Sequence, residues 1–248
     1  MSSTQLDITR WTAKQLQQIV LEAAPKIAVF DCDGTLWSGD AGNGFMVWSL
    51  EQGIVSRSTA DWMDNSYRGY LAGTVSESQI CGEMVQMYAG LREEELRTAA
   101  ARYFEEHIRP HIFAEIASLV AALRKANVQL WAVSSTNKWV VSEGARRFGI
   151  PEERVLAAEV KVADGIITSE LVHVPTGPAK ATALRRVGIS HPDAVFGNSL
   201  HDLAMLEMAA HPFPVNPSPA LLEECGKRGW GYFRPSEITE SAAPVAGE

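Results

Sequence analysis

AVFDCDGTLW, residues 28–37, sets an apolar run against two carboxylates one residue apart. The run KIAVF, 26–30, is bounded by turn-forming residues and reads as a buried strand. Asp31 and Asp33 end it. Side chains alternate across a strand, so both aspartates point the same way while Cys32 points into the core. Two negative charges at one strand tip repel each other, so something of opposite charge belongs beside them.

Outward from this stretch the chain changes rhythm twice. Before it, residues 11–23 (WTAKQLQQIVLEA) have the spacing of a short amphipathic helix, stopped by Pro25. After it, residues 38–108 lose strand signals and carry helical spacing throughout, with Gly53, Gly73 and Gly90 placed as helix stops. From Pro110 strands and helices alternate. The order is helix 112–125, strand 128–133, helix 137–148, strand 155–160, a hairpin-like turn at 163–165 and IITSELVHV. Helix 178–187, strand 193–196, helix 200–209, strand 213–215 and helix 218–226 follow. This alternation predicts an α/β fold with a parallel sheet and helices on both faces. The expected organisation is an α/β core of residues 1–37 and 109–234, a helical block of 38–108 inserted after the first strand, and a disordered Pro/Ala/Glu/Ser-rich tail, 235–248. In such open sheets ligands bind at the carboxyl ends of the strands.

Composition narrows the function. The 248 residues are 46% hydrophobic, enough for one large domain or a domain with an insert. A net charge of −8 and no basic stripe argue against nucleic acid. Three distant cysteines, Cys32, Cys81 and Cys225, fit neither a disulfide framework nor a zinc site, and suit a reducing compartment. No segment resembles a signal peptide, and no run approaches the ~18 apolar residues of a membrane span. The expectation is a soluble, cytoplasmic protein with a small-molecule partner and no membrane or nucleic-acid partner.

Polar residues gather at the ends of the predicted elements. Ser134, with Ser135 and Thr136 behind it, follows the strand 128–133; Lys180 lies in the first turn of the helix 178–187; Asn198 and Asp202 lie in GNSLHD, 197–202. Asp31, Asp33, Asn198 and Asp202 are hard oxygen donors without nitrogen or sulfur, a set that suits Mg²⁺ and a substrate phosphate. A divalent cation also makes clustered carboxylates tolerable. Lys180 supplies positive charge to a phosphate oxygen, and the Ser134 hydroxyl a donor. Asp31 could then attack phosphorus, and Asp33 move the protons.

With DCDGT (31–35), the apolar strand ending at Ser134, Lys180 and GNSLHD (197–202) in order, the chain resembles the haloacid dehalogenase superfamily, in its phosphoserine-phosphatase-like branch. The resemblance spans about residues 26–233. It implies a Rossmann-like parallel-sheet core and a helical C1 cap, matching 38–108, that closes over the site. It further implies Asp31 as nucleophile and Mg²⁺ ligand, and Asp33 as acid/base and ligand through its carbonyl. Ser134 and Lys180, with Ser135 beside them, bind phosphate, and Asp202 binds metal. The family's fourth motif commonly begins Gly-Asp; here it is Gly197–Asn198, which removes one negative charge and predicts weaker Mg²⁺ affinity.

The predicted activity is Mg²⁺-dependent hydrolysis of a small phosphomonoester through an aspartyl-phosphate, phosphoserine-like or phosphocholine-like. The rivals are a phosphomutase or phosphotransferase and a non-catalytic binding module. The aromatics Trp37, Phe45, Trp48, Trp62, Tyr67 and Tyr70 read first as a helical core and second as a cage for a quaternary ammonium. Arg57 and Arg68 read as solvated helix residues before a carboxylate clamp, and His201 as an ordinary helix-start residue before a substrate contact. GDAGNG, 39–44, reads as a flap of turns beside the substrate.

Overall fold

The computed structural model describes residues 8–236. Most of the predicted tail, 237–248, lies outside the described residues. Its first part is tied down, because Ser236 Oγ donates to Glu115 at 2.6 Å.

The strands are β1 (Arg10–Trp11), β2 (Ile27–Phe30), β3 (Gln129–Asn137), β4 (Val155–Ala163), β5 (Ile166–His173), β6 (Ala194–Gly197), β7 (His211–Pro214) and β8 (Tyr232–Phe233). The α-helices are α1 (Ala13–Glu22), α2 (Ala41–Glu51), α3 (Arg57–Leu71), α4 (Glu77–Gln86), α5 (Glu93–Tyr103), α6 (Ala114–Lys125), α7 (Lys138–Arg147), α8 (Pro178–Arg186), α9 (Leu203–Glu207) and α10 (Pro219–Arg228). The main sheet has the order β5-β4-β3-β2-β6-β7, parallel except for the edge strand β5. Asp164 and Gly165, both with positive φ, turn β4 into β5.

Alternation along β2, β3 and β6 puts two apolar layers on opposite faces. One holds Ala28, Phe30 and Ala132 with α1, α6 and α7; the other holds Val29, Val133 and Val195 with α8, α9 and α10. Phe30, Phe196 and Phe213 stack across neighbouring strands with centroids 4.3 and 5.1 Å apart. Each fully buried ring contributes about 1.5–3 kcal/mol.

Three expectations are revised. Strand 128–133 continues to Asn137 as β3, so Ser134, Ser135 and Thr136 stand on the strand and not after it. The helix expected over 200–209 is a 3₁₀ turn, Leu200–Asp202, followed by the short α9. Residues 41–44 of the expected flap are the first turn of α2, with Asp40 as N-cap accepting from Asn43 N–H at 2.8 Å. Its glycines serve close packing: a Cβ on Gly42 would stand 2.7 Å from Thr136 Oγ1. The pair β1–β8 was not anticipated, since two-residue strands carry no period.

Helices α2–α5 lie between β2 and β3 and divide into unequal parts. Phe45, Trp48, Tyr88 and Tyr103 join the main core. Arg97 on α5 pairs with Glu152, and Ile167 at the start of β5 exchanges backbone hydrogen bonds with Gly90 and Leu91. By contrast, α3 buries one residue of its fifteen, Met63. A π turn, Phe104–Ile108, and a 3₁₀ turn holding Pro110 lead back to the core.

Candidate active site

Strand register assembles the site. Phe30 pairs with Ala132 on one side and Phe196 on the other. Asp31 therefore leaves β2 level with the Ser134 end of β3 and the Gly197 end of β6, and its N–H donates to Phe196 O at 2.9 Å.

Lys180, in the first turn of α8, joins two of these tips. Its Nζ donates to Asp31 Oδ1 at 2.7 Å and to Asp202 Oδ1 at 2.6 Å, with all three side chains buried. Two carboxylates hold the ammonium charged, well above the usual lysine value. Asp31 also accepts from Thr35 Oγ1 at 2.8 Å. Burial, then the charge of Asp202, push the Asp31 carboxyl up to about 6 against the opposing pull of Lys180. Asp202 Oδ2 accepts from the N–H groups of Asn198 (2.8 Å) and Ser199 (3.0 Å), which fixes the loop after β6.

Asp33 occupies a different environment. Oδ1 accepts from Trp37 Nε1 at 2.6 Å and Ala41 N–H at 3.0 Å, and Oδ2 from Thr136 Oγ1 at 2.6 Å. Burial, then the charge of Asp40, push its carboxyl up to about 7 despite these donors. One carboxylate thus faces a lysine and its neighbour faces neutral donors. Such separation of environments is what gives two acids different tasks. Cys32 between them is buried, as alternation predicts.

Ser134 is buried beside this tip, its Oγ accepting from Thr136 N–H at 3.1 Å. Ser135 is partly exposed, on the strand β3 that α4 packs against. The Asn198 amide lies over the DCDGT turn, where a Cβ on Gly34 (φ +75) would stand 2.0 Å from Nδ2. Gly34 is thus required twice, for its left-handed backbone and for this contact.

Among the described residues no three or more of His, Cys, Asp and Glu form a metal cage. The charge balance still calls for a cation: Asp31 and Asp202 share one ammonium, and Asp33, among neutral donors, has none. The nearby donors are hard oxygens, and both Asp202 oxygens already serve Lys180 and the loop. Few protein oxygens with room for water and phosphate suit Mg²⁺, so the residues fit that ion.

Several contributions are not ones the sequence foretold. Trp37 and Thr136 hold Asp33, and Thr35 holds Asp31. Glu77 of α4 accepts from Thr176 Oγ1 at 2.6 Å and pairs with His201 Nδ1 at 2.5 Å, so His201 is more than a helix-start residue. Other candidates stand elsewhere. Phe45 and Trp48 are core, while Arg57 and Arg68 are exposed and paired with Asp61 and Asp64 on their own helix.

The chain is similar to a probable phosphatase of Mycobacterium tuberculosis, 27% identical over 88% of this chain and 81% of that one. It is similar also to a histidinol-phosphatase of Neisseria meningitidis, 24% identical over 82% of this chain and 96% of that one. Its fold is like that of a phosphoserine phosphatase solved as a phospho-aspartyl intermediate analogue, with TM-score 0.55 and 17% identity over 85% of this chain and 93% of that one. The family model of haloacid dehalogenase-like hydrolases matches residues 28–207, and the chain belongs to that family.

Proposed function

We propose that the protein is a Mg²⁺-dependent phosphatase that hydrolyses a small phosphomonoester through an aspartyl-phosphate on Asp31. The observation that carries this reading is the bridge from Lys180 to Asp31 and Asp202, with Asp33 held apart by Trp37 and Thr136.

Lys180 and the Ser134–Ser135 segment bind the phosphate oxygens and orient phosphorus toward Asp31. Asp31 Oδ attacks, forming an O–P bond as the bond to the leaving alcohol breaks. Asp33, whose carboxyl is pushed up to about 7, holds a proton near neutral pH and passes it to the leaving oxygen. It then takes a proton from the water that cleaves the acyl phosphate, which releases phosphate and restores Asp31. The Asp31 carboxylate, the Asp33 carbonyl and Asn198, with Asp202 behind them, would hold Mg²⁺, which would supply positive charge at the phosphate.

Helices α2–α5, within 38–108, act as the cap that shields the acyl phosphate from bulk water and selects the alcohol. The substrate is a small phosphorylated metabolite. Tyr67 and Tyr70 of α3, both partly buried, favour an amino-alcohol phosphate such as the phosphoserine or phosphocholine type, and the name of the Neisseria relative points the same way. Three free thiols among the described residues suit a cytoplasmic setting. Among those residues no helix is long and apolar enough to cross a membrane.

The test is phosphate release from a panel of phosphomonoesters, with Mg²⁺ or EDTA, for wild type and Asp31→Asn. Release that needs both Mg²⁺ and Asp31 is expected. Transfer to an added alcohol in place of release would favour a phosphotransferase. No turnover of any kind by the folded protein would leave a binding module.

A further inference from the structure

Helix α4 touches all three segments that carry the phosphate-side residues. Glu77 at its start accepts from Thr176, four residues before Lys180, and pairs with His201, next to Asp202. Helix α4 also packs against β3, the strand that carries Ser134 and Ser135. The far end is held as well, with Gln86 Nε2 donating to Ser169 O at 2.8 Å and Gly82 packed against Leu171 and Val174.

These links close a ring. Glu77 joins Thr176 and His201 on one side, and Lys180 joins Asp202 on the other at 2.6 Å. The turn before α8 is held within itself by backbone hydrogen bonds, Thr176 N–H to Val174 O at 3.1 Å and Ala179 N–H to Thr176 O at 3.0 Å, and no side chain caps α8, so Glu77 is its side-chain link to α4. Thr176 is buried, and its hydroxyl is spent on Glu77. A surface ion pair of no consequence would not need a buried third partner.

We infer that Glu77 is a positioning residue: it fixes where Lys180 and Asp202 stand relative to Asp31, making α4 a fixed wall of the phosphate site. This rests on the phosphatase reading above. Glu77 touches no reacting atom. Its loss should degrade phosphate binding equally for every alcohol, because a small displacement of a charged group near the reacting centre is costly.

The test compares Glu77→Gln, Thr176→Val and Thr176→Ser with wild type. Orthovanadate inhibition in Mg²⁺ should weaken about tenfold in the first two, and kcat/KM should fall about tenfold for aryl and alkyl phosphates alike. Thr176→Ser keeps the hydroxyl and should retain wild-type values. Amide hydrogen exchange over 174–180 and 197–202 should quicken in both damaged variants. Unchanged vanadate affinity, unchanged exchange in the two segments, or a Thr176→Ser as impaired as Thr176→Val would each overturn the inference. If the wild type hydrolyses nothing, the phosphatase reading fails, and exchange in those segments alone decides whether Glu77 positions them.

Discussion

Replacing Lys180 by Met removes one ammonium from between two buried carboxylates while keeping much of the side-chain volume. In the wild type Nζ lies 2.7 Å from Asp31 and 2.6 Å from Asp202. Breaking a buried pair by removing one partner costs about 3–5 kcal/mol, because the other charge stays behind uncompensated. For a urea slope of about 2–3 kcal/mol per M, the unfolding midpoint should fall by roughly 1–2 M near neutral pH without metal. The sign of the pH dependence follows from Asp31. Its folded carboxyl already sits near 6, above the ordinary 3.8, and Lys180 is the charge that lowers it. Without Lys180 it rises further. A raised folded pKa gives stability that is present at low pH and lost as pH rises through the folded value. The variant should therefore approach wild type near about pH 5 and fall away toward about pH 7.5. Asp202→Asn in the same background should restore about 1–3 kcal/mol at the higher pH, by removing one of the stranded charges. The rate constant should fall about 10²–10³-fold with every substrate. Urea titrations at the two pH values check this. Equal losses at both, or no rescue by Asp202→Asn, would refute the reasoning that Lys180 neutralises these carboxylates.

Other outcomes follow from single residues. Asp33→Asn should slow alkyl phosphates about 10²–10⁴-fold and aryl phosphates far less, since only poor leaving groups need its proton; equal losses would take Asp33 out of the acid role. Asn198→Asp should lower the Mg²⁺ concentration for half-maximal activity, and an unchanged requirement would place residue 198 away from the ion. Gly34→Ala should lower the Tm, because the left-handed backbone (φ +75) costs a non-glycine residue about 1–2 kcal/mol and the new Cβ meets Asn198 at 2.0 Å. Hydrogen exchange should open α3 before α4 and α5, since α3 buries only Met63 while the other two are bonded to the β4–β5 hairpin and to Glu152; simultaneous exchange of the whole insertion would contradict this.

Much of the fold was legible because it is written in local patterns. The runs expected as strands at 26–30 and 193–196 became β2 (Ile27–Phe30) and β6 (Ala194–Gly197), and the turn expected at 163–165 is made by Asp164 and Gly165. Gly53 and Gly73 took the positive φ expected one residue beyond a helix C-cap. What escaped was decided at a distance. β3 runs on through three polar residues because it pairs with β4 as far as Asn137, a partner that no local window reveals. GDAGNG looks like turns, yet from Ala41 it is helix, because its glycines let α2 approach Thr136 and Tyr103.

The site divides along the same line. Asp31, Lys180, Asn198 and Asp202 sit at element ends where an open sheet presents its ligands, so their position in sequence foretold their place in space. The surroundings that set their chemistry did not show. Asp31 and Asp33 are two residues apart and identical in kind, and their types alone do not distinguish the two environments. The distinction comes from Lys180, 149 residues beyond Asp31, and from Thr136, 103 residues beyond Asp33. Thr35 is a local contributor, on Asp31, and so is Trp37, since DCDGTLW folds back to place its indole N–H on Asp33. It is a core residue by burial and a site residue by its one polar atom. A sequence reading sorts residues by type and gives such a tryptophan to the core. In the folded protein its ring packs against Phe104 and Phe148 and thereby fixes the donor on Asp33, so core packing and the setting of a site carboxylate meet in one side chain.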